Sequence, residues 1–170
     1  MLKGDKMAKF LLGIVIVAFT SFCGYFFAKK YRQKKSFFLQ FEQFNERFIS
    51  EISYARRPIR EFISKYNYQG EFDALLHDFF IDLDERSQED RVWVDEAGYN
   101  FLTKEERQFA EDYFLMLGKG DSQSQKSYFS AQKDALKKMR ICAEETAKKY
   151  GDLYIKLGFL CGLLILILII

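Results

Sequence analysis

Two long uncharged runs, one near each end of the chain, limit what it can fold into more than any other feature. Residues 10–28 contain no charged side chain, and the final stretch, residues 157–170, reads LGFLCGLLILILII. A helix rises 1.5 Å per residue, so the first run, 19 residues long, spans about 28 Å, close to the roughly 30 Å hydrocarbon core of a bilayer. The second run reaches spanning length when it is extended back through Leu153, Tyr154 and Ile155. Its single charge, Lys156, has a stem long enough to carry the ammonium to the headgroups. The sequence therefore predicts transmembrane helices over residues 8–28 and 153–170, with a separate segment, residues 31–152, between them.

The basic start (Lys3, Lys6, Lys9) also occurs in cleaved signal peptides. However, the apolar run is longer than a signal core, and no small-x-small site ends it. Phe22 before Cys23 likewise argues against a lipoprotein cleavage site. The expectation is an uncleaved anchor.

Lysine and arginine collect on the cytoplasmic flanks of short membrane loops. Lys29, Lys30, Arg32, Lys34 and Lys35 follow the first run and Lys148, Lys149 and Lys156 precede the second, against three lysines at the N-terminus. This count places the central segment in the cytoplasm and both termini on the far side. Cys23, Cys142 and Cys161 are too scattered to form a disulfide framework or a metal set. The whole chain carries a formal charge of +2, but that excess sits at the membrane flanks and the central segment is slightly acidic. The electrostatic footprint of nucleic-acid binding is missing there.

Within the central segment, a single proline (Pro58) and helical spacing of apolar residues predict an all-α antiparallel bundle. Phe37, Phe41, Phe44, Phe48 and Ile52 form an aromatic stripe on a helix of about residues 35–54. Pro58 restarts the chain into a short helix carrying Ile59, Phe62, Ile63 and Tyr66, which ends near residues 67–70. Phe72, Leu75, Leu76, Phe79, Phe80 and Leu83 form a third run, and Val92, Trp93 and Val94 mark a shorter fourth. Thr103 and Glu106 have capping-box spacing, and Gly118 is placed to end that fifth helix in a left-handed conformation. Asp121 is the expected cap of a last helix that presents Phe129, Leu136, Ala143, Ala147 and Tyr150 and continues into the membrane.

No phosphate-binding glycine loop, metal-ligand spacing or nucleophile elbow occurs, so the pattern points to no enzyme and no cofactor. His77, the only histidine, lacks a catalytic partner nearby in sequence and reads as a surface residue. The acidic residues Asp78, Asp82, Asp84, Glu85, Glu89 and Asp90 lack the glycine and terminal glutamate of a calcium loop and read as a solvated or docking face. Two groups stand out as candidate sites. Arg56, Arg57 and Arg60 crowd a helix start, where the helix dipole disfavours cations. They pair either with acids of the bundle such as Glu61 or with an acidic partner protein. Thr20, Gly24 and Ala28 on the first span, and Gly158 and Gly162 on the second, have the spacing that lets helices approach closely, within one chain or between chains.

In sequence order, several segments resemble the stage III sporulation protein AB family. They are Glu51-Ile52-Ser53-Tyr54, Pro58-Ile59 with Glu61, Trp93, Leu117-Gly118 with Asp121 and Gln125, and the ending Leu157-Gly158-Phe159-Leu160-Cys161-Gly162. Where that family commonly has Thr-Pro-Leu, this chain has Arg57-Pro58-Ile59, so a charge replaces a hydroxyl cap. The resemblance implies a mother-cell membrane protein around the forespore, with a cytoplasmic part similar to the F-type platform proteins of type II secretion. The implied partners are a cytoplasmic secretion-type ATPase of the same sporulation apparatus, its other membrane components and further copies of the chain. A membrane-anchored regulator that binds a soluble signalling protein is the alternative expectation.

Overall fold

The computed structural model describes residues 2–54, 59–85, 94 and 97–169, with side chains over 11–52, 61–79, 94 and 97–168. Among the described residues six α-helices follow one another: α1 (Leu2–Tyr54), α2 (Ile59–Ser64), α3 (Gly70–Glu85), α4 (Lys104–Leu115), α5 (Ser122–Thr146) and α6 (Asp152–Ile169). A π-helical turn, Ala147–Gly151, joins the last two. No strand occurs among the described residues, so the all-α fold is as expected.

Two compact units divide the chain: residues 1–32 with 144–170, and residues 33–143. The sequence reading had the first span and the following helix as separate elements, but both lie on one helix, α1. The physical reason is local: Lys29, Lys30, Arg32, Gln33, Lys34 and Lys35 between them are good helix formers, and no glycine or proline interrupts them.

In the unit of residues 33–143, the aromatic stripe of α1 is the core. Phe37, Phe41, Phe44 and Phe48 are buried, and so is Phe38 beside them. Phe72, Leu75, Leu76 and Phe79 of α3, Tyr113 and Phe114 of α4, and Phe129 and Leu136 of α5 close over the stripe. The rings meet mostly edge to face, as between Phe41 and Tyr113 at 4.7 Å and between Phe48 and Phe129 at 4.9 Å, the arrangement favoured by the ring quadrupole. Paired residues give the helix directions. Glu42 meets Arg140 at 2.5 Å and Glu46 meets Lys133 at 3.5 Å, so α5 runs antiparallel to α1. Lys34 meets Glu106 at 2.8 Å while Asn45 meets Tyr113, so α4 runs parallel to α1.

The ends of these helices follow local chemistry. Thr103 caps α4 through a capping box in which its side chain accepts from the Glu106 N–H and the Glu106 carboxylate accepts from the Thr103 N–H. Gly118 has φ +80°, the left-handed conformation expected after this helix. Asp121 caps α5: its carboxylate accepts from the Gln123 N–H at 3.2 Å and from the Ser124 hydroxyl. Val94, expected in a short helix, lies instead in a bend, buried, with its N–H donating to Glu111 at 3.4 Å. Val92 and Trp93 lie outside the described residues.

Candidate functional site

The unit of residues 1–32 and 144–170 holds the small-residue positions, and its geometry is a close antiparallel helix pair. A Cβ added at Gly24 would come 2.5 Å from the Tyr154 carbonyl oxygen and 3.3 Å from Gly158 Cα. One added at Gly158 would come 2.6 Å from the Thr20 carbonyl oxygen and 3.1 Å from Gly24 Cα. Further along, a Cβ at Gly162 would strike the Thr20 hydroxyl and lie 2.8 Å from Val17 Cα, and Gly13 faces Leu166. As α1 advances its partners on α6 recede, which defines an antiparallel pair. No side chain larger than hydrogen fits at the Gly24–Gly158 crossing, where backbone meets backbone.

Thr20 belongs to the same contact. Its hydroxyl donates to its own helix, to the carbonyls of Ile16 at 3.0 Å and Val17 at 3.1 Å, which satisfies it without a cross-helix bond. Ala28 is fully buried. The structure thus brings Thr20, Gly24, Gly158 and Gly162 together within one chain. The outward side chains of both helices, including Leu12, Val15, Phe19, Phe22, Leu160 and Leu164, are exposed and apolar. Two helical stretches, Leu11–Ile52 and Ser122–Leu168, contain windows long and apolar enough to cross a membrane, with mean hydropathies of 2.2 and 2.0.

Toward the basic end of the pair, the small residues give way to rings. Tyr31 stacks on Tyr150 at 5.6 Å and on Tyr154 at 5.8 Å, with Phe27 6.1 Å from Tyr154. The π turn widens the helix at this level. Ala147 and Gly151 are buried, whereas Lys148 and Lys149 between them are exposed. The sequence pattern contained no sign of this turn.

The arginine cluster is a different case. Arg56 and Arg57 lie outside the described residues, and of Arg60 only the backbone, at the start of α2, is described. Nearby, Lys65 reaches Glu51 at 3.3 Å, and Arg47 lies over the rings of Tyr66 and Tyr68, at 4.7 and 5.5 Å. His77 is exposed on α3. No group of three or more histidine, cysteine, aspartate or glutamate side chains that could hold a metal ion occurs among the described residues. One polar pair that the sequence reading passed over is buried in the bundle. The amide of Asn45, fully enclosed by the aromatic core, donates to the Phe129 carbonyl at 3.2 Å and accepts from the Tyr113 hydroxyl at 2.9 Å. Burial holds the Tyr113 phenol well above its ordinary value, so it remains a neutral donor.

The family model described as stage III sporulation protein AB matches residues 9–170. The chain belongs to that family. No curated protein and no solved structure matches it. The stage III sporulation protein AB family consists of sporulation structural or assembly proteins and is not known as enzymatic. Membership gives the chain a role in stage III of sporulation. The two candidate spans, closely paired, fit a membrane-associated member of that family.

Proposed function

We propose that the protein is a non-enzymatic platform of a sporulation secretion-like channel between mother cell and forespore. In this reading it sits in the mother-cell membrane around the forespore. Its helical bundle lies in the cytoplasm and couples a secretion-type ATPase to the membrane components of the same apparatus. The observation that carries the reading is family membership over residues 9–170, in a chain that pairs two apolar helices and holds a separately packed helical unit between them. An antiparallel pair returns the chain to the side it left, so both ends of the bundle face one compartment. The basic flanks at Lys29–Lys30 and Lys148–Lys149 favour the cytoplasm for that compartment.

Arg56, Arg57 and Arg60 are the proposed contact with the ATPase, because cations at a helix start are offset best by an anionic surface. Further copies of the chain are proposed to pack through the exposed span faces. Mild crosslinking in sporulating cells followed by purification tests the platform role. The expected catch is the ATPase together with other membrane components of the apparatus. Recovery of a soluble signalling protein with no ATPase would replace the platform with a membrane-anchored regulator. The arginine contact is tested by R56E/R57E, which should lower ATPase recovery by at least about tenfold with the melting temperature unchanged. A lowered melting temperature with unchanged recovery would place the arginines inside the bundle.

A further inference from the structure

The basic end of the helix pair carries a second, ordered feature. Tyr31 of α1 stacks on both Tyr150 and Tyr154, its ring inclined 25° and 15° to theirs, so three rings, from α1, the π turn and α6, form one ladder. Cations crown that ladder: Lys30 Nζ is 5.1 Å from the Tyr31 centroid and Lys149 Nζ is 5.2 Å from that of Tyr150. Lys29, Arg32 and Lys148 are exposed at the same level, Lys148 with 72% of its side chain accessible. The carboxylates along the same stretch are Glu144, 3.2 Å from Lys148, Glu145 and Asp152, so the cations Lys29, Lys30, Arg32, Lys148 and Lys149 still outnumber the acids.

We propose that this collar is a binding surface for anionic phospholipid headgroups. Three observations select a lipid over an acidic protein. The collar begins immediately beyond the uncharged run of α1, at headgroup depth if that run fills the hydrocarbon core. Tyrosines with an apolar body and a polar tip favour that depth. Finally, the collar adjoins exposed apolar side chains, Phe26 and Phe27 on one helix and Leu153 and Leu157 on the other, with the exposed Lys156 between the last two. One lipid satisfies both surfaces, because its phosphate meets the cations while its chains cover the adjoining rings and leucines. The π turn contributes directly, since it keeps Tyr150 on Tyr31 while leaving Lys148 and Lys149 exposed. The inference rests on the membrane placement of the pair and is independent of the ATPase reading.

The test uses the full chain reconstituted in phosphatidylcholine bilayers, with spin-labelled phosphatidylglycerol or spin-labelled phosphatidylcholine as probe. The motionally restricted fraction of each label gives their relative association constant. Phosphatidylglycerol should be preferred by about fivefold or more, a preference that weakens in high salt. In K29Q/K30Q/R32Q/K148Q/K149Q the ratio should fall close to one, while K29R/K30R/K148R/K149R, which keeps the charge, should retain it. Should the quintuple variant lose its helical circular dichroism, K29Q/K30Q and K148Q/K149Q are read separately, each expected to lower the ratio. A wild-type ratio near one, or no fall in any glutamine variant, overturns the proposal. Displacement of the label by soluble glycerol phosphate would likewise overturn it in favour of a site for free phosphate.

Discussion

The Tyr113 hydroxyl donates a 2.9 Å hydrogen bond to the Asn45 amide oxygen inside a core of aromatic and aliphatic side chains, tying α4 to α1. Through its nitrogen, Asn45 also holds the Phe129 carbonyl of α5. Three helices thus meet at one buried amide, and a rotation or slide of any of them breaks a bond that no water can replace. Tyr113→Phe should cost about 1–3 kcal/mol, because it leaves the buried Asn45 oxygen without a donor. Asn45→Leu should cost at least as much, and the double variant less than the sum, since the two act as one unit. Chemical denaturation of the four proteins of this cycle measures it. Strict additivity would mean that the pair does not couple.

Phe44 tests the aromatic core. Its ring is fully buried against Phe48, Phe62, Tyr68, Phe72, Tyr113 and Phe114. Phe44→Ala should therefore destabilise the bundle by about 3–5 kcal/mol. A melting temperature equal to wild type would remove this stripe from the core.

Two glycines of the helix pair, Gly158 at the crossing and Gly151 in the π turn, should respond in opposite ways. Gly158→Ala places a methyl 2.6 Å from the Thr20 carbonyl oxygen and must force backbone from backbone, at about 1–3 kcal/mol. Gly151→Ala meets no atom within 4 Å. It should be neutral or stabilising, because alanine restricts the unfolded chain more than glycine does. Thermal unfolding of both variants in one detergent decides this. Equal effects would contradict the close approach at Gly24.

Acid should loosen the start of α5. The Ser124 hydroxyl, and then the Gln123 N–H, hold the Asp121 carboxyl below its ordinary value in the folded protein. A depressed carboxyl stabilises the fold above its unfolded value, and that contribution is lost as pH falls through the folded value. Asp121→Asn keeps a capping oxygen without the titration. The stability gap between wild type and this variant should shrink as the pH is lowered through the acidic range. A gap independent of pH would remove Asp121 as the titrating cap.

What the sequence made legible was whatever depends on spacing along one helix. The positions of Phe37, Phe41, Phe44 and Phe48, the capping box at Thr103 and the left-handed Gly118 follow from local chemistry, and the structure has them as read. What it hid depends on contacts far apart in sequence. Asn45 looks like an ordinary polar residue until Tyr113 and Phe129 close around it, 68 and 84 residues away. Tyr99 and Phe101 look like loop residues, yet both rings pack on Phe37. The helical spacing at Gly24 and Gly158 suggested close approach but named no partner. The facing backbones, which only the folded chain supplies, make that partner explicit.

The central claim, a cytoplasmic bundle held by an antiparallel membrane pair, is tested most directly by accessibility. In a chain with Cys23, Cys142 and Cys161 replaced by serine, one cysteine is placed at Gln123 or appended after Ile170, and the protein is expressed in a bacterial plasma membrane. A membrane-impermeant thiol reagent should then label the appended cysteine in intact cells and the one at position 123 only after permeabilisation. Labelling at position 123 in intact cells, with the C-terminal cysteine protected, would contradict the account.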